Sequence, residues 1–248
     1  MNLSRLSALT YSLLIAGAII VGATVVARSL GRNRSAEDVI RVTGSARRVV
    51  RSDYIIWTAK VNYQAPTASA AYQGLQKSVS QLNAYLTEKG IPSEEIFPLA
   101  ITTETLYDKP AAPTNGNMSD VLRTIAGYRL SQEVEVRSQK VDVVQGVSRT
   151  ATDLINQGVS VESVAPQYRI TKLAELKDAI LAEAAENARK RAENIAKSSG
   201  STLGPLRFAR MGMMLVTGAY DDEEGGREDI ASLDKKVTVQ VTSAFGVQ

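Results

Sequence analysis

Residues 176–200 read LKDAILAEAAENARKRAENIAKSSG. Leu181, Ala185, Ala188, Ala192, Ile195 and Ala196 recur at helical spacing, so one stripe of this helix is almost all alanine. On the exposed side Glu186–Lys190 and Glu193–Lys197 stand four apart as ion pairs. Gly200 follows as a C-terminal cap. So small a face lets a helix backbone lie close against a sheet or another helix, and the reading of this helix is therefore packing. A helix for a membrane surface or for nucleic acid would not mix acids and bases on its polar face as this one does.

The flanking segments alternate or repeat in turn. Residues 39–47 alternate, with Ile40 and Val42 on one face. Residues 53–64 place Ile55, Trp57, Ala59, Val61 and Tyr63 on one face and Thr58, Lys60 and Asn62 on the other. Period two predicts half-buried antiparallel strands. Residues 66–89 predict a helix, N-capped by Thr67, with Ala71, Leu75, Val79, Leu82 and Leu86 inward and Gly90 as its stop. A strand at 95–106, a loop at 108–121 and a strand at 125–137 follow, the last with Leu130, Val134 and Val136 inward. A second helix is expected over 140–157 on Val144, Val147, Ala151 and Leu154, then a strand at 160–170. After the alanine helix come strands at 205–217 and 235–246, the last with Val237, Val239 and Val241 on one face. An acidic loop, residues 219–234, lies between them. The order β-β-α-β-β-α-β-α-β-β predicts an α+β fold for residues 38–248, a mainly antiparallel sheet with helices packed on it.

The chain has 248 residues, 44% of them hydrophobic, enough to bury a core built mostly from aliphatic side chains. With no cysteine there are no disulfides and no thiol nucleophile. With no histidine the commonest general base and metal ligand are gone. The net charge of +3 sits in residues 1–37, which hold Arg5, Arg28, Arg32 and Arg34 against Glu37, leaving 25 charges of each sign for 38–248. A nucleic-acid binder would show its basic excess in the folded part, so no nucleic-acid partner is expected.

Between Arg5 and Arg28 lie 22 residues without a charge, LSALTYSLLIAGAIIVGATVVA. About 20 such residues span a bilayer core. Residues 1–27 are therefore expected to be a transmembrane anchor or an uncleaved signal, contacting lipid through residues 6–27, with 28–37 as a linker. A cleaved signal is the alternative, with small residues at Val21-Gly22-Ala23 or Val25-Val26-Ala27. The expected place of residues 38–248 is outside the cytoplasm, on the periplasmic or extracytoplasmic side.

Five pieces in order now carry a family resemblance: IRVTGSARRVVRSDYIIWTAKV, GIPSEEIFPLAITTETLY, GYRLSQEVEV, the alanine-rich helix with GSTLGPL after it, and VTVQVTSAFGV. Together they resemble the SIMPL (DUF541) domain over about residues 39–247. Ser52-Asp53 departs from the pattern, where a proline commonly precedes the aspartate. The resemblance implies an exported or envelope-associated bacterial protein, similar to proteins that self-assemble and loosely linked to stress tolerance. It brings no catalytic residues.

The acidic run Asp221, Asp222, Glu223, Glu224, Glu228 and Asp229 is the best place for calcium, but it lacks the spacing of an EF-hand and reads as a solvated loop. Asp53 beside Tyr54, and Glu104 near Tyr107, read as strand-end carboxylates. Arg47, Arg48 and Arg51 with Asp53 read as a solvated turn. Gly44 reads as a bulge. Met211, Met213 and Met214 read as core or interface packing. The expectation is a protein without catalytic, metal or cofactor residues, not an enzyme, whose domain joins copies of itself into a homo-oligomer at the envelope. A binding module is the alternative, holding a ligand or an unidentified envelope protein beside the loops 108–121 and 219–234.

Overall fold

The face of alternating apolar residues in 53–64 becomes the centre of the larger sheet. A computed structural model describes residues 39–108, 124–220 and 229–248, with 17 and 22–24. Gly17 and Gly22–Thr24 are helical; the rest of the apolar segment 6–27, the linker 28–37 and most of loops 108–121 and 219–234 lie outside the described residues. Among the described residues no helix is long and apolar enough to cross a membrane.

The chain forms two compact units. One takes the chain up to Arg47 with Lys177–Met214 and Thr238–Gln248; the other takes Arg48–Leu176 and Leu215–Val237. The strands are β1 (Val39–Arg51), β2 (Tyr54–Ala65), β3 (Ile96–Tyr107), β4 (Ile125–Ser138), β5 (Val161–Ser163), β6 (Gln167–Arg169), β7 (Leu203–Met211), β8 (Leu215–Gly218) and β9 (Asp234–Val247). The helices are α1 (Ala68–Glu88), α2 (Val141–Thr150) and α3 (Leu173–Ser198). An α+β fold of antiparallel sheets and helices is what the alternation predicted, but the described residues form two sheets. β1 and β2 follow each other in sequence and belong to different ones: β3-β4-β2-β5 with β6 also on β2, and β1-β9-β7 with β8 also on β9.

In the larger unit Ile55, Trp57, Ala59 and Val61 of β2 are buried together with Leu130, Val134 and Val136 of β4. The strands are antiparallel in the register Trp57↔Val136 and Ala59↔Val134. α1 covers them with Ala71, Leu75, Val79, Leu82 and Leu86. Thr67 caps it by accepting from Ala70 N–H at 3.2 Å. At its other end Gly90, at φ +88°, permits the Ile91 N–H to bond Leu86 O at 3.0 Å, and Ile91 turns into the core. Trp57 is fully buried, and its indole N–H donates to Ser163 Oγ at 3.0 Å.

Two expected elements differ. The helix expected over 140–157 is α-helical only to Thr150 and continues as a 3₁₀ helix, Ala151–Gln157. Ala151 and Leu154 are both buried, and a spacing of three suits the tighter 3₁₀ turn. The strand expected at 160–170 is two short ones on β2, in registers Val61↔Val161 and Ile56↔Gln167, one residue out of step. Pro166 lies between them and has no N–H for the ladder. In the smaller unit Val42, Ala188, Ala192 and Phe245 form a small core with Ile40 and Leu203 against it. The strand expected at 205–217 is broken at Gly212–Met214 into β7 and β8, although Gly212 N–H still bonds Gln240 O at 2.8 Å.

Candidate functional site

The alanine stripe has a counterpart, and it is Gly44. A Cβ at Gly44 would lie 2.2 Å from Ala184 O, 2.3 Å from Ala188 N and 2.7 Å from Ala188 Cα. The backbone of β1 therefore lies directly on the backbone of α3, which needs glycine on one side and alanine on the other. Around that point Arg191 Nη1 donates to Thr43 O at 2.9 Å, and Ser45 N–H donates to Asn187 Oδ1 at 3.3 Å. Gly44 is a close-approach residue. The buried stripe is Ile180, Ala184, Ala188, Ala192 and Ala196. Ala185 is exposed and Ile195 is 49% exposed, so the stripe read from sequence was rotated by part of a turn. Glu186 pairs with Lys190 at 2.7 Å as expected, whereas Glu193 takes Arg189 at 3.0 Å instead of Lys197.

The carboxylates singled out as chemical candidates are held in structural bonds. Asp53 accepts from Thr171 N–H and Thr171 Oγ1, both at 2.7 Å. Burial pushes its carboxyl up; the bonds from Thr171, its own N–H and the charge of Lys172 outweigh this and hold it below the ordinary value. It clamps the β1–β2 turn to the start of α3. Arg51 pairs with Asp142 at the start of α2, while Arg47 and Arg48 are exposed. Glu104 pairs with Arg129 at 3.1 Å, directly opposite in the β3–β4 register, and Tyr107 is exposed.

Of the acidic run only Asp229 is described. Its Oδ1 accepts from Ala231 and Ser232 N–H at 2.9 and 3.2 Å. Its Oδ2, without a hydrogen bond, faces Lys235 Nζ at 3.6 Å. Lys235 Nζ also donates to Asp229 O. Burial raises the Asp229 carboxyl, and the Ser232 and Ala231 bonds with Lys235 bring it below the ordinary value. Sequence reasoning missed Lys235, whose side chain is 2% exposed. The signal was there: Lys235 precedes Val237, Val239 and Val241 on the same period-two face.

Met211, Met213 and Met214 do not pack as a core group: Met213 is 82% exposed and the other two are half-buried. Two clefts of about 610 Å³ lie in the larger unit. One, at the β1–β2 turn, is lined by Arg51, Ser52, Asp53, Lys140, Asp142 and Lys172; Lys140 Nζ there donates to Gly90 O at 3.1 Å. The other lies across β3, β4 and Lys60 of β2, with Glu104 and Glu133. Among the described residues no three acids gather where they could hold a metal ion.

Fold and site together define an α+β protein of antiparallel sheets. Its marked polar groups act as a turn clamp, a cross-strand pair and a buried ion pair. The family model described as SIMPL, a protein of unknown function (DUF541), matches residues 40–245, and the chain belongs to that family. No curated protein matches the chain.

Proposed function

We propose that this chain is a non-enzymatic structural protein of the cell envelope, anchored through residues 6–27, whose folded part assembles into a homo-oligomer and supports stress tolerance through that assembly. One observation carries the reading. The described carboxylates that the sequence marked for chemistry are held in structural bonds, Asp53 by Thr171, Glu104 by Arg129 and Asp229 by Lys235. The β3 border of the larger sheet, in contrast, presents exposed apolar side chains, Phe97 and Leu99. Unpaired strand borders invite pairing, and an anchor that confines copies to one surface raises their effective concentration. Light scattering of the detergent-solubilised full chain tests this. Masses at multiples of 26.7 kDa are expected; a single-chain mass at every concentration overturns it.

A further inference from the structure

We propose that the outer edge of β3 between Ile101 and Leu106 is the seam at which two copies of this chain join, strand to antiparallel strand. The inference rests on the self-assembly reading and says where the contact is made.

A strand at the border of a sheet offers unpaired N–H and C=O groups, and proteins blunt such borders with cations, proline, bulges, short strands or cover. β1 carries Arg41, Arg47, Arg48 and Arg51, and α3 reaches its backbone through Arg191 and Asn187. β7 carries Pro205, Arg207 and Arg210 and slips register twice. β8 has four residues, and its Val216 O accepts from Asp229 N–H. β5 and β6 have three residues each. The first half of β3 holds Pro98 and a register shift before Ile101.

The second half has none of these devices. Ile101–Leu106 runs in unbroken register along β4, from Ile101↔Gln132 to Leu106↔Gly127. The sequence ITTETL contains no proline, glycine, lysine or arginine. β3 ends its sheet, and among the described residues no strand pairs with its outer side. Six residues rich in β-branched side chains, of low charge and without proline, are the kind of segment that pairs with its own copies.

Charge selects the partner. Glu104 is the one charged side chain of the stretch, and Arg129 neutralises it at 3.1 Å. A neutral edge gains nothing by charge from an acidic or a basic peptide. A second copy brings no net charge, and a two-fold axis through Thr103 sets each Glu104 opposite Thr102 of the second copy, with its own Arg129 on the far side. The same axis sets Thr103 beside its own copy, and threonines pair well across strands.

The test compares the full chain in detergent with two folded variants by sedimentation velocity. One carries Thr102→Lys with Thr103→Lys, both at exposed positions; the other carries Leu206→Lys with Phe208→Lys on β7. The β3 variant is expected to lose association, its dissociation constant rising at least about tenfold, while the β7 variant keeps the wild-type mass. A single-chain wild type sinks the assembly reading itself. An oligomer kept by the β3 variant, or lost only in the β7 variant, leaves assembly standing and overturns the seam. If the β3 variant melts early, amide exchange in the wild type decides. Amides of Ile101–Leu106 slow with rising concentration if the seam is there; exchange independent of concentration overturns it.

Discussion

Gly44→Ala adds one methyl group and tests the packing of α3 on β1. Ordinary contact begins near 3.4 Å and the new Cβ would stand 2.2 Å from Ala184 O, so strand and helix must part by roughly 1.2 Å. No flexible side chain can give way, because all three nearest atoms are backbone. Gly44 is not among the glycines with positive φ, so space alone decides the outcome. Overpacking costs about 1–3 kcal/mol, and a collision between two backbones belongs at the upper end. At about 2–4 °C per kcal/mol for a chain of this size, the melting midpoint falls by about 6–12 °C. Without the collision the same change would raise stability by about 0.4–1 kcal/mol, through the unfolded chain. The sign of the shift in a circular dichroism melt therefore decides between the two. A second variant sharpens the test: Ala188→Gly on the Gly44→Ala background removes a methyl that is not what collides, and no rescue is expected. A melt at or above the wild-type midpoint, or full rescue, would mean that the two backbones do not collide.

Asp229→Ala removes the acidic partner of the buried Lys235; urea unfolding should show a loss of about 3–5 kcal/mol. Lys235→Met should cost less, because Asp229 keeps its two backbone bonds and the aliphatic stem is replaced by a similar one. Asp53 and Asp229 are both held below the ordinary value of 3.8. A depressed carboxyl stabilises the fold fully above its unfolded value and loses that contribution as pH falls through its folded value. The midpoint should therefore be flat between about pH 5 and 7 and fall below about pH 4, less steeply in Asp53→Asn. Ala184→Leu should destabilise strongly while Ala185→Leu stays within about 0.5 kcal/mol of wild type, since only Ala184 is buried; equal melts would contradict the observed stripe.

Local signals were legible in the sequence and non-local ones were not. The inward face of β2 and the span of α1 from Thr67 to Gly90 were readable, because alternation, a cap and a left-handed glycine all act within a few residues. On α3 the pair Ala184-Ala185 offered two identical residues, so periodicity could not say which faced inward; the contact with Gly44 does. The breaks at Pro166 and Gly212 were visible as residues, but their effect depends on the partner strand. The role of Asp229 was hidden in an acidic run, because its partner sits beyond the turn on β9. Ser52 is the instructive departure from the family pattern. Its N–H donates to Leu233 O at 2.9 Å, a bond that a proline at this position could not make.

The proposed role of these side chains is to build and join surfaces. Electron microscopy of the purified full-length chain in detergent tests it most directly. Particles of one recurring shape containing several copies are expected, from which Thr102→Lys with Thr103→Lys releases smaller ones. Particles no larger than one 26.7 kDa chain under every condition, in wild type and variant alike, would contradict it.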